Sequence, residues 1–381
     1  MSKNSEAMIT PKVITWAREF CSLSIDDAAK KIGVKSTLLQ KWENGECFPS
    51  IKQAYNISTI YKLPLATLWL NEPPKLGVPK IRDFRKVANS ELDKFSYQLS
   101  LQIREYYFKR ELFIELSENI KRKLIPFTFS LNKQNNTDIL ANNIRDFLGL
   151  NWETQKNWKD SRLAFNAIRE IIEEKCIAVF QLTDIKVQEC RGFSIYEELI
   201  PVIAINRKDS YTGRIFSLIH EFIHLCFSNS CITNLDNLDL NHEKINSEEY
   251  YINELTAAVL IPTKILSTQI EFYKNIQSIE NLKKIADSFS ISRESLVIRM
   301  FHLSHYNYNE VNNLLEKIRK SYKINNQKGF VSPITKLLSV YGKPMTRLLI
   351  ENYNSGFIHV GDFYAYTGLK EKHIVKLQNS L

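Results

Sequence analysis

The stretch YTGRIFSLIHEFIHLCF, residues 211–227, places the pattern H-E-x-x-H inside a run with helical apolar spacing. On a helix, residues four apart share a face, so His220 and His224 can point at one divalent cation. Glu221 then stands where it can take a proton from a water activated by that cation. The flanking Phe216, Leu218, Ile219, Phe222, Ile223 and Leu225 are apolar, which predicts a helix buried on most sides. Two imidazoles and a carboxylate in such a helix need partners, and a metal satisfies all three. The plainer alternative is a surface helix with a charged stripe. A metal-dependent peptidase is the leading reading.

Two histidines leave a tetrahedral cation short of a third protein ligand and an open position. The next helical stretch, Ser247 to Leu260, offers Glu248, Glu249 and Glu254, and the loop before it offers Asp236, Asp239 and His242. Glu249 is preferred. It lies 25 positions past His224, enough for a loop to return a second helix antiparallel to the first. Asn253, four residues on, shares its face and can support a histidine's outer nitrogen. Ala257 and Ala258 are small enough for close helix approach. His242 is the second choice; Cys226 and Cys231 are near the motif, but Cys226 reads as packing. Zinc suits two histidines and one carboxylate, and manganese or iron fits the same set. Tyr250, Tyr251 and Arg214 are candidate oxyanion donors. Leu199 to Asn206 has strand character; as an edge strand it would hold an extended peptide by β-augmentation, and an interior strand is the alternative.

The 381 residues are 44% hydrophobic with only 11 Gly and 11 Pro, which predicts a mostly helical chain of two or three domains. The net charge of +9 favours contact with an anionic polymer. Residues Met1 to Thr10 are polar, no apolar run spans a bilayer, and six scattered cysteines form no CxxC pair. These point to a cytoplasmic protein without a membrane partner.

Residues 1–72 read as five short helices. Ser24 caps the second with Asp27 three residues on, Gly33 makes the turn, and Ser36 to Glu43 forms the third before Asn44-Gly45. Pro49-Ser50 opens a fourth, and Leu65 to Leu70 closes the unit. This is a helix-turn-helix layout. Ser36, Thr37, Gln40 and Lys41 lie on the polar side of the third helix, suited to base edges and phosphates of double-stranded DNA; Leu38, Leu39 and Trp42 read as core. A five-helix protein-binding module is the alternative. Pro73-Pro74, Gly77 and Pro79 mark a break. Residues 73–130 then read as a linker and a long helix from about Ser90 to Lys123. Residues 131–325 form a second domain with strands at Ile177 to Leu182 and Leu199 to Asn206, and 330–381 a small C-terminal helical domain. The fold class is mainly α with a small β-sheet (α+β).

The motif region resembles the ImmA/IrrE family of metallopeptidases. The resemblance runs through Pro201 to Asn206, Arg214-x-Phe216-Ser217-x-x-His220-Glu221-x-x-His224, Glu249-x-x-x-Asn253, Thr256-Ala257 and Leu260 to Pro262, with further landmarks at Asp83 to Arg85 and Gly192 to Ser194. It implies a zincin-like domain with His220, His224 and Glu249 as metal ligands and Glu221 as base. Ile223 stands where the family usually has glycine, Ile252 where it has alanine, and Leu255 where it has an aromatic residue. Residues 1–72 resemble the XRE-type (lambda-repressor-like) domain through Leu23-Ser24-x-x-x-Ala28, Ile32-Gly33-Val34 and Lys41 to Gly45, without its usual glutamine at the start of the second helix. Together the resemblances imply a DNA-binding regulator, monomeric or homodimeric, that cleaves a repressor-like protein in a stress or mobile-element response. A regulator whose metal domain only senses a ligand, and a toxin–antitoxin or phage-defence protease, are the competing readings.

Overall fold

The computed structural model describes residues 5–74, 82–83, 96–132, 136–228, 231–233, 247–321 and 332–381. They divide into two compact units, one of Met1–Val78 with Ser90–Glu105 and one of Pro79–Asn89 with Tyr106–Leu381.

In the first unit, helices Pro11–Phe20, Ile25–Ile32, Ser36–Glu43 and Ile51–Tyr61 are followed by a 3-10 turn, Leu65–Trp69. Local chemistry sets their ends. Ser24 Oγ accepts from the Asp27 N–H, Ser50 and Gln53 close a reciprocal capping box, and Gly33 takes a left-handed conformation at φ 82°. Ile14, Ala17, Ala28, Leu39, Trp42 and Ile57 fill the core. The long helix is shorter than its sequence pattern suggested, Tyr97–Asn119. Its start joins this unit: Arg104 Nη2 donates to Tyr61 O at 2.9 Å, and the Ser22 and Ser100 hydroxyls are 2.9 Å apart.

One ion pair ties the first helix to the third. Arg18 meets both oxygens of Glu43, at 2.7 and 3.0 Å, and its remaining nitrogen donates to Leu23 O at 3.0 Å. Glu43 holds the guanidinium's proton more firmly than usual despite the cost of burial. Both side chains are largely buried, so removing one strands the other's charge.

The second unit is built around a sheet of five strands: β1 (Arg82–Asp83), β2 (Ala178–Leu182), β3 (Gly192–Ile195), β4 (Val202–Asn206) and β5 (Cys231–Thr233), in the order β1-β5-β3-β4-β2. β2 runs parallel to β4 with Ala178 opposite Val202, and β3 runs antiparallel to β4 with Gly192 opposite Ile205. Every residue of β2, β3 and β4 is buried, so each reads as a continuous apolar run rather than an alternation. β4 is therefore interior. Its backbone groups on both sides are taken by β2 and β3, which overturns the edge-strand reading of Leu199 to Asn206.

The helix bearing H-E-x-x-H, Tyr211–Cys226, packs on β3 and β4 and against helices Ser161–Glu173 and Ser247–Leu260. Ile223, Ile252 and Leu255, the three departures from the family pattern, are completely buried in one apolar cluster. The bulkier side chains are thus absorbed as core. Helix Pro333–Asn354 packs against β2 and breaks at Gly342, whose φ of 77° and ψ of 168° are non-helical. A Cβ there would lie 2.1 Å from Glu173 Oε1, so only glycine fits. Among the described residues no helix is long and apolar enough to cross a membrane.

Arg18→Ala should lower the protection of helix Ser36–Glu43 against hydrogen exchange by about 3 kcal/mol; unchanged protection would show that the pair does not hold the two helices together.

Candidate metal centre

The site helix begins where Ser210 Oγ accepts from the Gly213 N–H at 3.1 Å, and from Ile215 to Cys226 every residue is buried. His220 and His224 are fully buried, Glu221 is 1% exposed and Glu249 5% exposed. The helix Ser247–Leu260 brings Glu249 to them. His220 Nε2 lies 3.1 Å from His224 Nε2 and 3.2 Å from Glu249 Oε2, and His224 Nε2 lies 3.0 Å from Glu249 Oε1.

Among the described residues these three are the group whose ligand atoms can hold a metal ion. The spacing fits one. Tetrahedral bonds of about 2.0–2.1 Å put neighbouring ligand atoms roughly 3.3 Å apart. Glu249 Oε1, although 3.0 Å from His224 Nε2, accepts no hydrogen bond from a described residue. Three ligand atoms within hydrogen-bonding distance of one another around a common point suit a cation.

The electrostatics agree. Burial disfavours the His220 imidazolium, but Glu249 outweighs it and raises the ring above its ordinary value, and the Asn253 side chain acts in the same direction. Burial also opposes ionisation of Glu249, yet His220 and His224 prevail and hold its carboxyl down at about 2. Asn253 stands one turn beyond Glu249, but its Oδ1 and His220 Nδ1 each make no hydrogen bond among the described residues.

Glu221 is on the same helix outside that group. Glycine at 192 lets β3 press close: a Cβ there would stand 3.2 Å from Glu221 Cγ, 3.2 Å from Ala204 O and 3.1 Å from Ile205 Cδ1. The sequence marked Gly192 only as a family landmark. Its packing behind the glutamate depends on strand register, which no local pattern carries.

Other candidates are placed elsewhere. Arg214 donates to Asp209 O at 2.8 Å and to Arg207 O, and stacks on Tyr211. Its guanidinium is thus engaged by backbone carbonyls at the start of the helix, six positions before His220. The Tyr250 hydroxyl is 3.1 Å from His302 Nε2. The Tyr251 hydroxyl has no hydrogen-bond partner among the described residues. Glu248 and Glu254 stand outside the metal group. Cys226 does too, with its thiol pushed well up by burial, and it packs in the core. Asp236, Asp239 and His242 lie outside the described residues, as does the side chain of Cys231.

In the first unit Thr37, Gln40 and Lys41 are exposed on helix Ser36–Glu43. Ser36 is half-buried and donates to Asp26 Oδ1 at 2.5 Å, so its hydroxyl is already engaged. Leu39 and Trp42 are core, and Leu38 packs against them.

Residues 177–301 match the model of the Peptidase_M78 family, described as the IrrE N-terminal-like domain, a metallopeptidase family. The match takes in β2 to β4, both site helices, the three clustered ligands and Glu221. No curated protein and no solved structure matches the chain.

Metal and proton compete at His220. In the metal-free protein the charged ring contributes stability below its ordinary value of 6.5, lost as pH rises through its raised value. The Glu249 contribution is present above its ordinary 4.5 and is lost only as pH falls toward about 2. Zinc affinity of the metal-free chain, read by competition with a chromophoric chelator, should therefore rise about tenfold per pH unit below the His220 value and flatten above it. An affinity independent of pH from about 6 to about 8 would contradict the ligand assignment.

Proposed function

We propose that this protein is a regulator in which a zinc-type endopeptidase, the second unit, is carried to double-stranded DNA by an XRE-type first unit. Its substrate is a repressor-like protein. The observation carrying the enzymatic half is the convergence of His220, His224 and Glu249 in a buried site with Glu221 alongside. Manganese or iron suits the same ligands.

A divalent cation in this site supplies Lewis-acid polarisation of a carbonyl and acidification of a water. The chain's residues do the rest. Glu221 accepts the proton released as water attacks the peptide carbonyl and delivers it to the departing amine nitrogen. Its side chain packs against β3 at Gly192, where a Cβ would stand 3.2 Å from Glu221 Cγ. The DNA-binding half rests on the exposed Thr37, Gln40 and Lys41 and on the net charge of +9.

Cleavage of a repressor-like protein by the zinc-loaded chain tests the reading against a metal or ligand sensor. Glu221→Gln should keep one metal per chain and the wild-type DNA affinity, while cleavage falls at least about 100-fold. Gly192→Ala, which crowds Glu221 and touches no ligand, should lose about tenfold in turnover with metal retained. Cleavage by Glu221→Gln at the wild-type rate would sink the peptidase and favour the sensor. For the first unit, Lys41→Ala should weaken duplex binding and lower the salt slope by about one; an unaltered slope removes Lys41 from the phosphate contacts.

A further inference from the structure

The C-terminal helix Pro333–Asn354, helix Ser161–Glu173 and the first turn of the site helix enclose a cavity of about 500 Å³. Its walls are strongly cationic. Arg162, Arg169, Arg207, Arg214, Lys336 and Lys343 line it, against two carboxylates, Glu170 and Glu173. Those two are taken: Arg169 pairs with Glu173 at 2.8 Å, and Lys343 with Glu170 at 2.6 Å. Arg162, Arg207, Arg214 and Lys336 have no carboxylate partner among the described residues. Backbone carbonyls hold Arg214 in place without neutralising it. Burial makes its charge costly, Tyr211 and Asp209 ease it in part, and Arg207 presses with the burial.

We infer that this cavity binds a small anion bearing at least two phosphoryl groups, such as a nucleoside diphosphate or triphosphate or pyrophosphate itself. Four cations around a concavity, none in an ion pair with a described residue, focus a positive potential that a compact polyanion relieves. Guanidinium groups match phosphate oxygens two at a time. The volume is in the range of small-molecule sites and is far too small to admit a duplex. Asn166 and Gln181 add neutral hydrogen-bonding groups to the wall. The occupant would touch Lys336 on the C-terminal helix and Arg214 on the helix that bears His220, Glu221 and His224. The C-terminal segment thereby acquires a role, as one jaw of a ligand site attached to the metal helix. This inference does not rest on the peptidase reading.

Calorimetric titration of the full-length chain with pyrophosphate, ATP and AMP at constant ionic strength tests it. Pyrophosphate or ATP should bind saturably, one per chain, and raise the melting temperature. AMP should bind at least tenfold more weakly than ATP. Arg207→Ala and Lys336→Ala remove side chains that make no ion pair with a described residue. Each should weaken binding at least tenfold while zinc content stays at the wild-type value. ATP tighter than pyrophosphate would assign a nucleoside contact; equal affinities would assign the phosphoryl chain alone. Absence of heat and of any melting shift at millimolar ligand overturns the inference. So does wild-type affinity in both variants, equal binding of sulfate, or displacement of pyrophosphate by short duplex DNA, which would give the patch to nucleic acid.

Discussion

Two imidazoles and a carboxylate meet inside an apolar core, and the arrangement of the surrounding elements follows from that meeting. Each group would lose several kcal/mol of hydration if buried alone. His220, His224 and Glu249 instead converge with ligand atoms 3.0–3.2 Å apart. The carboxylate stays ionised and the ring nitrogens face it, so a cation entering the group meets both a negative charge and lone pairs. The donor set and burial are those of a group that could hold one ion.

Holding that geometry is the task of the sheet and the helices packed on it. β3 and β4 lie under the site helix, fixed in register by β2 on one side and β5 on the other. A bare backbone at Gly192 lets β3 approach Glu221. Helix Ser247–Leu260 is held against both the site helix and helix Thr137–Leu148 by a continuous apolar cluster in which Ile252, Leu255 and Ala258 are buried. Substitutions that would disrupt a looser interface, such as Ile223 at a position usually glycine, are accommodated because the cluster is packed around them.

Much of this was legible in the sequence where the signal is local. Ser24, Gly33 and Ser50 mark helix ends through hydrogen bonds and backbone conformations spanning only a few residues. H-E-x-x-H is legible because helical periodicity alone puts both histidines on one face. Glu249, the third member of the group, was reachable from its spacing. Non-local features were not legible. β3 has four residues, too few for a periodic signal, and the interior position of β4 depends on which strands flank it. Arg214 carries a plausible charge for catalysis, but its carbonyl partners at Asp209 and Arg207 become visible only once the helix start is folded. The cationic cavity likewise joins residues from 162 to 343, a juxtaposition no motif encodes.

The exposed polar groups on helix Ser36–Glu43 and the lysine and arginine side chains around Gly342 carry the two proposals made beyond the metal site. The enzymatic reading, by contrast, presupposes an occupied centre. Anomalous diffraction at the zinc absorption edge from crystals of the zinc-loaded chain addresses that most directly. A single strong peak about 2.0–2.2 Å from His220 Nε2, His224 Nε2 and a Glu249 oxygen is the expected result. A zinc peak elsewhere, or none, with the three side chains turned away from one another, would contradict it.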